Sequence, residues 1–217
     1  MVQNNSDHAT RIMTAIIRKE VLKELLPFCS RDEIRYILCG ISLEADGKEI
    51  TATACDGRRL LSVSWDSPVP AFKTVVPASL LALAMQIKGV ELGFTFETQT
   101  EFKGTKFKAD FCEFAELGIG GASCRQKQVE GNFPNWKQAV PEAKNEGVEA
   151  LRAMRVNWKH LIDFNKAFNF LCKGNSPVIY CAGENQPISF TLNAGEFRII
   201  GVLMPVMLDK LNGGGFR

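Results

Sequence analysis

A recurring order of elements limits what this chain can fold into more than any other feature of its sequence. One predicted strand, one helix and three further strands follow one another three times along the 217 residues. The strands show alternating apolar residues, and the helices show apolar residues three and four positions apart. Short helices among groups of antiparallel strands predict an α+β fold in which the helices pack on one face of the sheets.

The first copy begins with a predicted strand, Arg11 to Arg18, followed by a helix from Lys19 to Phe28. Three strands are predicted after it, at Ile34 to Glu44, Glu49 to Ala54 and Arg58 to Trp65. The pairs Asp46-Gly47 and Asp56-Gly57 separate these strands. An Asp-Gly pair between alternating runs is a strong signal for a hairpin turn.

The second copy has the same order. A strand is predicted at Phe72 to Val76, and a helix that Pro77 opens and Gly89 closes follows it. The next three strands are predicted at Glu91 to Glu97, Glu101 to Asp110 and Gly121 to Gln128. The glycines between Gly118 and Gly121 lack the spacing of a phosphate-binding loop, so they predict a turn.

The third copy follows a polar connection, Pro141 to Gly147, that is typical of a linker. A strand is predicted at Leu151 to Val156, and Asn157 is placed as the N-cap of a helix from Trp158 to Cys172. The remaining strands are predicted at Pro177 to Ala182, Pro187 to Leu192 and Glu196 to Pro205, before a loose tail from Asp209 to Arg217.

Composition excludes several classes of protein. With 46% hydrophobic and 23% charged residues the chain is neither disordered nor collagenous, and its apolar runs are shorter than the roughly 20 residues of a membrane span. The polar first ten residues lack the pattern of a signal peptide, which predicts a cytoplasmic protein.

The seven cysteines form no C-x-x-C pair and are expected to be reduced. The two histidines have no metal-spaced partner, so neither a metal nor another cofactor is expected.

The sequence offers little for catalysis. Cys55 and Asp56 stand beside two arginines, Arg58 and Arg59, which leaves a small thiol-dependent enzyme as an alternative. We favour the interpretation that Asp56-Gly57 is a hairpin turn and that Cys55 ends an apolar strand.

Basic residues recur on two of the predicted helices. Lys19 and Lys23 lie one turn apart, and Lys159, Lys166 and Lys173 recur every seven residues, so each set shares a helix face. The solvated side of an amphipathic helix explains such a stripe, and contact with phosphates is the alternative. The second helix carries only Lys88, and the net charge of +2 does not decide between them.

Four segments, in the same order, resemble the bacterial sliding clamp, the beta subunit of DNA polymerase III. They are RYILCGISLE at 35–44, ACDGRRL at 54–60, VEGNFPNWKQAVP at 129–141 and VLMPVML at 202–208. In that family they correspond to a tyrosine-containing strand and the T-D-G-x-R-L turn of the middle domain, the G-x-F-P-D-Y segment that leaves it, and the M-P-x-R-L ending of the last domain.

The resemblance implies a pocket that takes a short hydrophobic peptide from partner proteins such as polymerases, clamp loaders and repair proteins. Its walls are expected at Leu38, Cys55, Gly57, Arg58, Arg59, Leu60, Pro134, Gln138, Ala139, Val202, Met204, Pro205 and Val206. Leucine, valine, methionine and proline would accept leucine or phenylalanine anchors, and Arg59 would supply a donor at the rim.

The resemblance also implies non-specific contact with double-stranded DNA through positively charged helices and the start of the tyrosine-containing strand. The residues expected to make it are Arg18, Lys19, Lys23, Arg35, Tyr36, Lys159, Lys166 and Lys173.

The length of the chain departs from the family, whose members have three domains of two units each. We expect a tail at 1–10, a middle-domain-like part at 11–140, a linker at 141–149, part of a last domain at 150–208 and a second tail at 209–217. Three units per chain would require four chains to reach the twelve units of a clamp ring.

These observations predict a non-catalytic processivity factor for DNA replication that binds partner proteins and either encircles or touches DNA. A monomeric module or decoy that keeps the pocket and lacks the ring is the first alternative, and the thiol enzyme is the second.

Overall fold

The computed structural model describes residues 10–86, 92–99, 109–116, 123–127, 129, 131–141, 154–173, 175–181, 183 and 186–206. The expected turn at Gly118 to Gly121, the helix end at Gly89, almost all of the linker, the first nine residues of the first tail and the whole of the second tail lie outside these residues. Thr10 belongs to the first strand, although the tail was expected to include it.

The first unit contains the predicted elements with one exception. Its elements are β1 (Thr10–Ile17), α1 (Lys19–Leu25), β2 (Gly40–Ala45), β3 (Glu49–Cys55) and β4 (Arg59–Asp66), with 3-10 helices at Leu26–Phe28 and Glu33–Leu38. The first half of the strand predicted from Ile34 to Glu44 was wrong, because it forms the second of these 3-10 helices. The Asp32 carboxylate accepts a hydrogen bond from the Ile34 N–H at 3.1 Å and the Arg35 N–H donates to the Asp32 carbonyl at 2.9 Å, so capping starts a helical turn.

The second unit contains β5 (Phe72–Pro77), α2 (Ala78–Ala84), β6 (Leu92–Gln99), β7 (Ala109–Glu116) and β8 (Ser123–Lys127). Pro77 is the N-cap residue of α2. Most of the strand predicted at Glu101 to Asp110 lies outside the described residues, and its last two residues, Ala109 and Asp110, begin β7. The register of β7 with β6 pairs Phe94 with Phe114.

The third unit contains α3 (Trp158–Cys172), β9 (Val178–Cys181), β10 (Ile188–Ala194) and β11 (Phe197–Leu203). The bounds and the N-cap of α3 are as predicted, because the Asn157 side chain accepts from the Lys159 N–H at 3.0 Å. Of the strand predicted from Leu151 to Val156, residues 154–156 are described, and they form a single bridge between Arg155 and Val206 instead of a strand.

The described strands form two antiparallel sheets. The order in the smaller sheet is β1-β6-β7-β8, and the order in the larger one is β5-β2-β3-β4-β11-β10-β9. The larger sheet therefore joins the first unit to the third through β4 and β11, whose register runs from Trp65 opposite Phe197 to Arg59 opposite Leu203. A short 3-10 helix, Trp136–Ala139, lies in the segment after the second unit.

The helices α1 and α3 contribute to one core with the larger sheet. Phe164 of α3 packs with Phe28 and with Phe190, each at 4.9 Å between ring centroids. A Cβ at Gly201 of β11 would lie 2.6 Å from the Phe164 ring, so glycine allows α3 to lie close to the sheet. The architecture is α+β, as predicted, and the described part of the chain contains no helix long and apolar enough to cross a bilayer.

Candidate functional site

A cavity of about 160 Å³ lies where β4 meets β11, and we call it the β4–β11 cavity. Three segments enclose it: the turn between β3 and β4, the segment around the 3-10 helix Trp136–Ala139, and the end of β11. Its lining residues are Cys55, Gly57, Arg58, Arg59, Leu60, Phe133, Pro134, Asn135, Trp136, Ala139, Val202 and Met204. Most of the wall predicted from the sequence is therefore brought together in one place.

The turn between β3 and β4 is built by Asp56. Its carboxylate accepts hydrogen bonds from the N–H groups of Arg58 and Arg59 at 2.9 and 3.0 Å. Gly57 has a φ of 85°, and a Cβ there would lie 2.5 Å from the Arg35 guanidinium. Only glycine fits this turn without strain, and the turn directs Leu60 towards the cavity.

The end of β11 is fixed to this turn through the backbone. The Met204 N–H donates to the Arg58 carbonyl at 2.8 Å, one residue beyond the pairing of Leu203 with Arg59. This bond holds Met204 beside the cavity with 42% of its surface exposed. The main chain of Met204 is therefore held in place, and its flexible, half-exposed side chain can adapt to a ligand.

Three lining residues were missing from the predicted wall, namely Phe133, Asn135 and Trp136. Phe133 is buried and packs with Leu38 and Val75, while Trp136 is half-buried against the same small cluster. The aromatic residues of the segment GNFPNW at 131–136 were the available signal, because large aromatic side chains usually pack against other apolar groups.

Four residues of the predicted wall do not line the cavity. Leu38 is buried one layer behind it, in contact with the cluster that holds Phe133. Gln138 is exposed on the 3-10 helix and Pro205 is half-buried. Val206 is exposed, and its N–H donates to the Arg155 carbonyl at 2.8 Å.

Arg59 is not the rim donor that the sequence predicted. Its side chain is only 8% exposed, and it donates to the carboxylates of Asp56 at 3.0 Å and Asp163 at 2.5 Å and to the Pro27 carbonyl at 2.7 Å. The guanidinium also lies 4.8 Å from the centroid of the Phe28 ring. A buried arginine requires such partners, so its donors point into the protein. Arg58 is the exposed cation of the cavity.

The two thiols and the imidazole near this site have shifted pKa values. Burial raises the pKa of Cys55, and the hydrogen bond from the Gly57 N–H only partly opposes that shift. Burial also raises the pKa of Cys29 behind it. Both ring nitrogens of His160 are buried without a hydrogen-bond partner among the described residues, and burial lowers its pKa. A raised thiol pKa is the opposite of what an activated nucleophile needs.

The helix residues predicted to contact DNA lie on α1 and α3, which pack against each other. Lys23 and Lys166 line an open groove between these helices, together with Glu24, Pro27, Asn165, Asn169 and Phe170. We call this the α1–α3 groove. Burial raises the pKa of Glu24, and the two lysines act in the opposite direction.

The other predicted DNA contacts have different surroundings. Arg18 forms an ion pair with Glu196 at 2.5 Å and lies over the Phe197 ring. Lys19 is half-buried on α1, Lys159 is exposed at the start of α3, and Lys173 ends it with a φ of 49°. Arg35 and Tyr36 belong to the 3-10 helix Glu33–Leu38, where Arg35 contacts the turn at Gly57 and the Tyr36 hydroxyl lies near Gly131. These two residues therefore adjoin the β4–β11 cavity and not the α1–α3 groove.

No cluster of three or more His, Cys, Asp or Glu residues suited to a metal ion occurs in the described ranges. The five cysteines whose side chains are described, Cys29, Cys39, Cys55, Cys172 and Cys181, are free thiols.

No protein-family model and no curated protein matches the sequence. Solved structures do match it. The DNA polymerase sliding clamp of Pseudomonas aeruginosa aligns with a TM-score of 0.63 at 15% identity, over 90% of this chain and 66% of the clamp chain. The Helicobacter pylori beta clamp bound to a DNA ligase peptide aligns with a TM-score of 0.67 at 12% identity, over 92% and 67%.

The beta subunit of the DNA polymerase of Streptococcus pyogenes aligns with a TM-score of 0.65 at 16% identity, over 96% of this chain and 68% of that one. The match extends over almost the whole chain but only part of each clamp. This chain therefore has the fold of the bacterial sliding clamps and spans about two thirds of the length of the clamp chains that it matches.

Proposed function

We propose that this protein is a clamp-like accessory factor of DNA replication, without catalysis of its own, that binds partner proteins through the β4–β11 cavity. The observation that carries the proposal is the cavity itself, which the meeting of two units creates and which apolar side chains largely line. Leu60, Val202, Met204 and Trp136 offer contacts to leucine or phenylalanine side chains. A structurally similar clamp, that of Helicobacter pylori, was solved with a DNA ligase peptide.

The polar groups of the cavity suggest which peptides it prefers. Arg58 is exposed there, and no described residue forms an ion pair with it. A peptide with a carboxylate next to its apolar anchors would complement this charge. The rest of the polar lining, Asn135 and backbone groups, would fix the orientation of an extended peptide.

The proposal is tested by titrating the protein into a fluorescent peptide taken from a clamp-binding segment of a bacterial DNA ligase. Met204→Ala removes an exposed apolar contact and is expected to weaken binding about tenfold, which corresponds to about 1.4 kcal/mol. Leu60→Ala is expected to weaken it at least as much, and circular dichroism would check that this buried change leaves the fold intact.

Leu83→Ala is the matched control, since Leu83 is an exposed leucine on α2 that does not line the cavity. It is expected to leave the affinity unchanged. Tight binding that neither cavity variant weakens would refute the proposal.

Contact with DNA is the second part of the proposed function, and the α1–α3 groove supports it. Two lysines and two asparagines line this open groove, and such side chains bind phosphate oxygens without reading sequence. We assign the contact to Lys23 and Lys166 first, with Lys19, Lys159, Lys173 and Arg18 around them.

A module that binds partners without surrounding DNA remains the alternative function. The specific observation in its favour is α2, whose seven residues include no lysine or arginine. The raised pKa of Cys55 argues against the thiol enzyme, because at neutral pH the protonated thiol predominates.

A further inference from the structure

The exposed face of α3 carries large apolar side chains where the solvated side of a helix usually carries polar ones. Trp158 is 72% exposed, Phe170 is 50% exposed and Ile162 is 41% exposed. Other residues of the helix, among them Phe164 and Phe168, form the side that is buried against the sheet. Packing within the protein therefore does not explain the three exposed side chains, and a group of this kind marks a binding surface.

Polar and positively charged side chains lie beside these apolar ones. Phe170 lines the α1–α3 groove with Lys23 and Lys166, and the Lys23 ammonium lies 5.8 Å from the centroid of the Phe170 ring. The Asn169 amide donates to Asn165 Oδ1 at 3.1 Å, a bond that uses neither the Asn165 amino group nor the Asn169 oxygen. The surface thus combines aromatic rings, exposed amides and ammonium groups.

The charges and the rings suit different parts of a nucleic acid. Glu24 also lines the groove, but two lysines flank this carboxylate, so the lining keeps a positive balance that favours phosphate. Lysines alone are sufficient for a duplex, which presents its phosphates and keeps its bases stacked inside. Aromatic rings become useful where bases are unpaired, because every base has a flat face that can stack on a ring.

We propose that this face of α3, together with the α1–α3 groove, binds single-stranded DNA. Unpaired bases stack on Trp158 and Phe170, and Lys23 and Lys166 hold the phosphates between them. The inference rests on the DNA contact of the proposed function and names the form of DNA that this site takes. Stacking of this kind tolerates any sequence, as expected for a factor that binds DNA non-specifically.

The length of the surface fits a short stretch of one strand. Trp158 and Phe170 are separated by twelve positions of α3, which corresponds to about 18 Å along the helix axis. A stacked strand covers that distance in about five nucleotides. Ile162 and the two asparagines lie between the rings, so the strand would contact the protein along the whole distance. None of these residues lines the β4–β11 cavity, so a bound peptide does not compete for them.

Anisotropy of a labelled strand of about 12 nucleotides, alone and annealed to its complement, tests the proposal. Trp158→Leu and Phe170→Leu keep an apolar side chain and remove the ring. Each is expected to weaken binding of the single strand about tenfold and to change binding of the duplex less than about twofold, because only unpaired bases reach the rings.

Tyr180→Leu is the matched control, since it also replaces an aromatic ring by leucine. Tyr180 pairs with Ser189, next to Phe190, whose ring packs on α3. Because neighbouring residues of a strand point to opposite faces, Tyr180 lies on the face of the sheet that is turned away from α3. This variant is expected to change the affinity for neither form of DNA.

Tryptophan fluorescence shows where the strand binds. Trp65 is buried and Trp136 lines the β4–β11 cavity, so quenching by the single strand is expected to come from Trp158 and to be absent in Trp158→Leu. Quenching that persists in this variant, or leucine variants that weaken both forms of DNA equally, would overturn the inference. Duplex binding that depends on Lys23 and Lys166 would then still support the proposed DNA contact, whereas no binding of either form would overturn both.

Discussion

Arg59 connects three parts of the molecule that are distant in sequence. Its guanidinium binds Asp56 in the neighbouring turn, the Pro27 carbonyl after α1 and Asp163 on α3. Because α3 belongs to the third unit, this one side chain links the third unit to the first directly behind the β4–β11 cavity. The stability of the cavity therefore depends on a buried charge cluster as well as on apolar packing.

Asp163→Ala tests this role. The variant leaves Arg59 buried with one carboxylate partner instead of two, and we expect a loss of about 2 kcal/mol in the free energy of unfolding. The value is below the full cost of an unpaired buried charge because Asp56 remains. Urea denaturation followed by tryptophan fluorescence measures the change.

Asp66→Ala is the control for Asp163→Ala. It also removes a carboxylate from an arginine, but Asp66 is 85% exposed and its ion pair with Arg198 lies in solvent. We expect a change of less than about 0.5 kcal/mol. Equal losses in the two variants would contradict the role of the Arg59 cluster.

His160 gives the stability a pH dependence of known sign. Burial and the charges of Arg59 and Arg58 lower its pKa, and Asp56 and Asp163 only partly oppose this. The folded imidazole therefore takes up a proton less readily than the unfolded one, whose pKa is about 6.5. Below that pH the unfolded chain binds more protons, so the free energy of unfolding falls as the pH falls.

The measurement compares urea midpoints between about pH 7.5 and about pH 5.5, the range in which an ordinary imidazole titrates. His160→Gln cannot be protonated there, so its midpoint is expected to fall less than that of the unmodified chain. Identical pH profiles would show that the imidazole is equally protonated in both states.

At the scale of elements, local chemistry determined what could be predicted. The helix α3 was predicted with its bounds because a capping asparagine directly precedes it and its own residues show a clear apolar periodicity. The hairpin turns at Asp46 and Asp56 were predicted for the same reason. The 3-10 helix Glu33–Leu38 was not, since a single cap at Asp32 competes there with a run of strand-forming residues.

The candidate site was predictable only in part, and for a related reason. The segments that resemble clamps identified most of the cavity wall. Phe133 and Trp136 were missed because their segment has no periodicity of either strand or helix. The partnership of Arg59 with Asp163 spans 104 positions, and no local pattern indicates such a pair.

At the scale of the whole molecule, the net charge of the chain determines how much DNA binding would depend on the α1–α3 groove. A net charge of +2 is small, so DNA binding would depend on a local set of lysines. Lys23 and Lys166 reach the groove from different helices and different units, which creates positive surface that neither helix has alone.

The salt dependence of binding to labelled duplex DNA tests this arrangement. The double variant Lys23→Ala, Lys166→Ala is expected to weaken binding and to reduce the slope of log K against log salt by about two. Lys48→Ala changes an exposed lysine in the turn between β2 and β3 and is expected to leave the slope unchanged. An equal effect of the control, or the absence of salt-dependent binding, would contradict a DNA-contacting groove.

The joint between β4 and β11 has a consequence for how the protein is made. β4 ends at Asp66 and β11 begins at Phe197, so the first wall of the cavity leaves the ribosome well before the strand that completes it. Contacts between such distant segments form late, because the intervening chain must first be ordered. A nascent chain can fold its first unit early and still present no complete cavity, so partners would recognise only molecules whose third unit has docked.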